Sequence, residues 1–382
     1  MVGDSSVPFF SPIGASFGLD LSAPLQQVLE SGRWVLGPMV QEFERAFAAY
    51  VGTADAIGVA NGTDALILAL RAVGVESGLR VATVANAGYY ASTAIAQIGA
   101  HALYVDVDPE TLTMSPDRLA SALQNGGISA VVVTHLYGQM ADIERIGALC
   151  QRAGVPLVED CAQAHGARRA GRQAGAWGAT GCFSFYPTKN LGGIGDGGAV
   201  VTSDAALAQR IRALRQYGWE RKYEVSLTGG MNSRLDELQA AVLLTKLPRL
   251  DAANEERRAI AMRYNRAFAG LSEMTCQRTI GDDHVFHLYV VRTTQRDALR
   301  SHLAERGVAS EVHYPWPDHL QPIHREAVVL DLPVAEAACN QVLSLPCYPG
   351  LTLTQQERVL MQCAVFTSVC HAKPDHSRIP QR

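Results

Sequence analysis

Seven short runs of apolar, often β-branched residues recur along the chain, at Ala56–Val59, Val81–Ala85, Ala102–Val105, Ala130–Thr134, Pro156–Val158, Gly181–Phe185 and Ala199–Thr202. Stretches between them repeat their apolar residues every three to four positions, as in Asp64–Val73, Tyr90–Ile98 and Ile143–Ala153. Strand and helix in alternation is the mark of βαβ units, because two parallel strands need a long crossover and a helix supplies it. The prediction is an α/β fold on a mainly parallel, seven-stranded sheet. Farther on, Arg234–Leu247 predicts an amphipathic helix stopped or kinked at Pro248, and a second helical stretch runs from Ala252 to Phe268. A strand (Val285–Val291), a helix (Gln295–Arg306) and two more helical stretches (Val334–Leu343, Thr354–Thr367) follow. We therefore expect a large α/β domain over residues 1–250 and a small α+β domain over 251–370. The polar end, 371–382, carries two prolines and is expected to be disordered.

Composition changes this picture little. The 382 residues exceed one typical core, and 48% hydrophobic with 18% charged is ordinary for a globular chain. A net charge of −4 offers no electrostatic footprint for nucleic acid. Met1-Val-Gly-Asp-Ser-Ser lacks the basic and apolar regions of a signal peptide, and no apolar run has membrane-spanning length. The expectation is a soluble cytoplasmic protein with no membrane partner. Eight cysteines without a Cys-x-x-Cys pair read as reduced, buried thiols, and no metal site is expected.

Candidate chemistry centres on Thr180–Thr202. Lys189 falls in a turn between two strand-like runs, followed by five glycines in the seven residues 192–198. A lysine held among apolar and backbone groups loses hydration of its ammonium form and becomes a candidate imine-forming nucleophile; an ordinary surface lysine is the alternative on this stretch alone. Asp160 ends the apolar run at Val155–Val158, where a carboxylate can keep a pyridinium nitrogen protonated or simply cap a helix. Ile57–Leu66 reads as a strand turning at Gly62 into a helix, whose free N–H groups at Gly62 and Thr63 suit a phosphate, with Ser184 adding a hydroxyl. Three other patterns carry less. Gly193-Ile-Gly-Asp-Gly-Gly198 fits the dinucleotide fingerprint but leads into a strand instead of a helix. His313, His319 and His324 have spacings that place no two ligands on one helix face. Cys161, four residues before His165, reads as an inert core thiol.

Asn61–Leu66, Glu159–Gly166, Phe183–Asn190 and Gly230–Ala241 together resemble, in order and spacing, the DegT/StrS-type sugar aminotransferases, over about Trp34 to Pro349. The resemblance implies a fold-type I pyridoxal phosphate transferase. It implies that Lys189 is the Schiff-base lysine, Asp160 the pyridinium partner and Gln163 the residue beside the ring. Tyr89, with Tyr90 one position away, matches the stacking aromatic. Gly62, Thr63 and Ser184 match phosphate contacts, and Asn232 matches a residue that reaches the phosphate of a second subunit, implying a homodimer with composite sites. The family's dehydratase branch replaces the lysine with histidine, so Lys189 points to transamination. Ala162–Gly166 and Val312–Pro322 look like the branch that aminates C-3. The implied reaction moves an amino group from glutamate or glutamine to a nucleoside-diphosphate 3-keto-6-deoxyhexose, with Tyr223, Arg234 and Tyr314 as candidate substrate contacts. A C-4 keto-sugar or cyclitol acceptor is the runner-up, and a non-catalytic regulator of the same fold is the alternative of a different class.

Overall fold

A computed structural model describes residues 6–271, 273–277, 281–324 and 331–371. The expected disordered end therefore lies almost wholly outside the described residues. All seven apolar runs form one sheet: β1 (Asp55–Val59), β2 (Arg80–Thr83), β3 (His101–Tyr104), β4 (Ala130–Thr134), β5 (Leu157–Asp160), β6 (Thr180–Ser184) and β7 (Gly198–Thr202). Their spatial order is β1-β7-β6-β5-β4-β2-β3. Every neighbour pair from β6 to β3 is parallel. β7 runs antiparallel to both β6 and β1. That reversal has a local cause: no helix lies between β6 and β7 to carry the chain back to the start of the sheet. The connection holding Lys189 instead folds back at the C-terminal end of β6. Its Gly-x-Gly-x-x-Gly run accordingly enters a strand.

Burial on both faces explains why the strands read as continuous apolar runs. Val131, Val133, Phe183 and Val201 belong to one cluster, packed with Phe43 and Phe47 of helix α1 (Pro38–Val51). Ile57, Val132, Val158 and Val200 belong to the other, with helix α2 (Gly62–Ala72). Residues 65–70 of α2 are all buried, which is why its sequence is apolar on every face. Helix α3 (Tyr90–Gln97) follows β2, and helix α4 (Ile143–Ala153) precedes β5.

Past the sheet, several predicted boundaries move, and the strand expected from Val285 begins only at Tyr289. The helix expected from Arg234 begins at Glu237 (α5, Glu237–Lys246), because the chain before it is extended and Asp236 bridges to Val35. A 3-10 turn at Leu247–Arg249 absorbs Pro248 and leads into α6 (Leu250–Phe268). The stretch Val334–Leu343 divides into a helix (α7, Pro333–Gln341) and a strand (β10, Val342–Leu345). That strand pairs with β9 (Tyr289–Arg292), which also pairs with β8 (Thr275–Cys276). The final helix, α8, spans Leu353–His371. Among the described residues no helix is long and apolar enough to cross a membrane.

Candidate active site

The C-terminal ends of β4, β5 and β6, with the start of α2, open into a cavity of about 460 Å3. Gly62, Thr63, Asp160, Gln163, Ser184 and Lys189 all line it, as does Tyr314. Residues spread over 250 positions of sequence thus share one cavity, at the strand ends where open α/β sheets bind ligands.

Lys189 sits in a tight turn, its backbone N–H donating to the Tyr186 carbonyl at 2.8 Å. Phe185 and Gly193 fold over the turn, with Gly193 N–H donating to the Phe185 carbonyl at 2.7 Å. A Cβ on Gly192 would meet the Pro187 carbonyl oxygen at 2.5 Å, so the close return needs glycine there. Behind it, Lys246 donates its ammonium to the Gly192 carbonyl and Gln239 accepts from Ile194 N–H. Lys189 remains partly open to the cavity, yet the surrounding protein removes enough water to lower its pKa to about 8, against the opposing pull of Asp160.

Asp160 is buried at the end of β5. Its carboxylate accepts from Ala162 N–H at 3.1 Å and from Thr134 Oγ1 at 3.3 Å. Burial pushes its pKa up, while the Ala162 N–H and the charge of Lys189 pull it down. Its neighbour Glu159 faces the opposite side of the strand and is saturated. His135 lies 3.0 Å from it, and the N–H groups of Gly175, Trp177 and Gly178 donate to its two oxygens. His135 Nδ1 accepts from Ala141 N–H, so the ring carries its proton on Nε2 and donates to Glu159. Cys161 lies beside this pair. The donors already on Glu159 account for the cluster as a buried brace across the sheet.

Gln163 has both ends of its amide fixed. Oε1 accepts from Tyr137 N–H at 2.6 Å and Nε2 donates to Tyr314 Oη at 3.0 Å. At the other end of the cavity Asn61 caps α2 by accepting from Asp64 N–H at 2.8 Å. The N–H groups of Gly62 and Thr63 have no intrahelical acceptor. A Cβ on Gly62 would lie 2.7 Å from Ser184 Cβ, so glycine permits the close approach of α2 to β6.

Not every candidate reaches this cavity. Of the tyrosine pair, Tyr90 lines it and Tyr89 does not. Tyr89 takes a left-handed conformation (φ 69°) and donates its N–H to Asp318. The Tyr90 ring meets Tyr314 edge to face at 5.9 Å. Tyr223 is 76% exposed, in a short hairpin against Trp219, and Asn232 and Arg234 lie in the extended run before α5. Within one chain none of these three lines the cavity.

The structure adds His287 and His313, which the sequence reading passed over: one fell in a predicted strand and the other was weighed only as a metal ligand. Both line the cavity. Burial, with the charge of Lys189, holds His313 near 4 and His287 well below the usual histidine value, so both rings are neutral. His287 Nδ1 lies 3.1 Å from Asn190 Oδ1; the Asn190 amide donates to Asn254 and Val285, which makes its oxygen the acceptor and places the histidine proton on Nδ1.

An amine of lowered pKa, a buried carboxylate on the same cavity and a helix start open to an anion form the donor set that pyridoxal phosphate requires. Fold and site together define a fold-type I transferase. Residues 19–363 match the DegT/DnrJ/EryC1/StrS aminotransferase family. The chain is 44% identical over 348 residues to the dTDP-3-amino-3,4,6-trideoxy-alpha-D-glucose transaminase of Micromonospora megalomicea subsp. nigra, covering 89% of this chain and 93% of the relative. It is 41% identical to a pleiotropic regulatory protein of Geobacillus stearothermophilus, with coverage of 90% and 93%. The crystal structure of S. venezuelae DesV in complex with a ketimine intermediate superposes with a TM-score of 0.92 at 42% identity, covering 97% of this chain and all of that one. The protein belongs to the DegT/DnrJ/EryC1/StrS aminotransferase family and is a pyridoxal-phosphate-dependent aminotransferase.

Proposed function

We propose that the protein transfers an amino group from glutamate or glutamine to C-3 of a nucleoside-diphosphate 3-keto-6-deoxyhexose in amino-sugar biosynthesis. The observation that carries this reading is the 44% identity, over most of both chains, to a transaminase named for a 3-amino sugar, combined with Lys189 and Asp160 on one cavity. The regulatory name of one relative does not favour a non-catalytic role here, because the amine and carboxylate that transamination needs are both present.

In this reading, pyridoxal phosphate bound in the cavity supplies an electron sink for the carbon that carries the nitrogen. Lys189 would hold the group covalently between turnovers and move a proton at the carbon that bears the nitrogen; a pKa near 8 leaves a useful fraction of neutral amine. Asp160 would keep the group's ring nitrogen protonated, its buried carboxylate offering the counter-charge that water cannot supply there. Gln163, fixed at both ends, would border the ring, and Tyr90, the one of the tyrosine pair that lines the cavity, would cover a face. Gly62, Thr63 and Ser184 hold the phosphate, joined by Asn232 of a second copy in a homodimer. Tyr314 lies on the cavity, Tyr223 would contact substrate from an exposed position and Arg234 from a partly buried one. The exposed apolar residues Trp34, Tyr217 and Val225 support a covering second copy. We assign residues 1–250 to the cofactor-binding domain and 251–370 to the small domain. The seven free cysteines among the described residues suit a reducing cytoplasm.

The test is to incubate the purified protein, glutamate and glutamine in parallel, with nucleotide-linked 3-keto and 4-keto sugars and a cyclitol ketone. We expect amination of the 3-keto sugar and, after borohydride reduction, a trapped adduct on Lys189 that Lys189→Ala lacks. Faster turnover of the free cyclitol ketone would transfer the assignment to the runner-up acceptor.

A further inference from the structure

Behind the part of the cavity wall formed by Tyr90 and Tyr314 lies a carboxylate that the site itself does not use. Asp318 stands on the segment that carries His313 and Tyr314, is 1% exposed and does not line the cavity. Its two oxygens take separate donors from one turn of chain. Oδ1 accepts from Tyr89 N–H at 3.0 Å and Oδ2 from Ser92 Oγ at 2.6 Å. Ser92 in turn accepts from Tyr104 Oη of β3 at 3.1 Å, and the Asp318 N–H donates to the Ala85 carbonyl, just after β2, at 2.7 Å. These bonds fasten the start of α3, with Tyr90 on it, to the segment that presents Tyr314, and the two rings meet edge to face at 5.9 Å. Among the described residues no cation compensates this carboxylate. The titratable groups that face it are Tyr89, Tyr104 and Cys339 of α7, all uncharged at neutral pH, while His319 beside it turns Nε2 to Glu336 at 3.0 Å. Burial therefore pushes its pKa up to about 7, against the pull of Ser92 Oγ and Tyr89 N–H.

A buried carboxylate without a cation is a poor choice for stability alone. With a folded pKa near 7 against an ordinary 3.8, the folded chain holds the proton more tightly than the unfolded one. Stability is thus greatest below 3.8, declines as pH rises toward 7 and carries a constant penalty above it. What the charge does supply is strength in two bonds. Ionised, both oxygens accept charge-assisted hydrogen bonds; protonated, one oxygen must donate to a Ser92 oxygen that already accepts from Tyr104, and the Tyr89 bond becomes a neutral one. We propose that Asp318 is a positioning residue for the acceptor substrate: by holding Tyr89 and Ser92 it sets where Tyr90 stands against Tyr314, and with it the shape of the wall that the keto-sugar meets. The inference rests on the keto-sugar reading above and adds a device by which the affinity of that site follows pH.

The experiment compares the natural holoenzyme with Asp318→Asn at about pH 6 and about pH 8.5, on either side of the Asp318 pKa. Asparagine keeps the shape and the acceptor for Tyr89 N–H but is neutral, like the protonated acid, at every pH. The KM for the keto-sugar is read as the ratio of variant to natural protein, so that other titrations cancel. It should be close to unity at the lower pH and about fivefold at the higher, the order expected when two charge-assisted hydrogen bonds become neutral, with kcat unchanged. Stability should move the other way, the variant melting above the natural protein at the higher pH. Hydrogen exchange at the Tyr89 amide should be faster in the variant at the higher pH and equal at the lower. Ser92→Ala, which removes a donor that draws the Asp318 pKa down, should shift the pH step in the natural KM profile upward. A KM ratio that is the same at both pH values, or a variant that melts lower at both, makes Asp318 an ordinary packing residue and overturns the proposal. So does equal Tyr89 exchange at both pH values. Exchange needs no turnover, so a protein that aminates no keto-sugar fails the function proposed above, while the Tyr89 amide still decides whether Asp318 positions the start of α3.

Discussion

Lys189 keeps its amine where water is scarce, and one nearby carboxylate opposes the effect. Burial lowers its pKa to about 8 and the charge of Asp160 raises it. The cofactor-free protein should therefore combine with pyridoxal phosphate at a rate that climbs through a midpoint near pH 8, well below that of an exposed lysine. Removing the opposing charge in Asp160→Asn should move this midpoint lower still. An unmoved midpoint would show that Asp160 does not act on the amine. The linkage to stability has the same origin. With the folded pKa below the unfolded value, the unfolded chain binds the proton first as pH falls from about 10.5, so stability declines toward pH 8 and the penalty is constant below it.

Around that lysine, the elements meet through contacts that only small residues allow. The turn after β2 contains Gly88 with φ 81°, and a Cβ there would come within 2.8 Å of the Tyr314 ring. The same turn is tied to the segment carrying Tyr314 by Asp318, which accepts from Tyr89 N–H at 3.0 Å and from Ser92 Oγ at 2.6 Å. Tyr314 in turn holds Gln163. Gly88→Ala should thus lower stability by about 1–3 kcal/mol, from left-handed strain plus a steric clash, and also raise the KM for substrate. Gly32 is the control. It has a similar positive φ of 64° but open space around it, so Gly32→Ala should cost only about 1 kcal/mol and leave KM unchanged. Chemical denaturation and steady-state kinetics on the two variants check this; equal losses would mean that the Tyr314 contact is soft.

Across the whole molecule, Asn232 raises a question that one chain leaves open. It is exposed and lies off the cavity that its family role would serve. In a symmetric pair, each site would take Lys189 from one copy and Asn232 from the other. Lys189→Ala and Asn232→Ala proteins, each inactive alone, should then regain activity when mixed and allowed to exchange subunits, because one site of each mixed dimer is intact. Activity that stays absent after demonstrated exchange would count against shared sites. The regained fraction should not exceed about one quarter of the natural activity for random pairing of equal amounts, since half the dimers are mixed and each has one good site.

Much of this architecture was legible before any coordinates. The seven strands announce themselves because each is buried on both faces and must be apolar throughout, and the βαβ alternation follows from the need to cross back between parallel strands. Lys189, Asp160 and Gly62 stand out because their chemistry is tied to local geometry: a turn, a strand end, a helix start. Other features depend on what packs against what. β10 follows directly on a helix, and its pairing with β9 lies in tertiary hydrogen bonds, so local periodicity hides it. Tyr90 rather than Tyr89 lines the cavity because Tyr89 is itself left-handed and turns the chain there, a one-residue choice that spacing cannot make. His287 carries no motif at all. Its place on the cavity comes from burial and from a partner as distant as Asn190, and these arise only when remote segments are brought together and water is excluded.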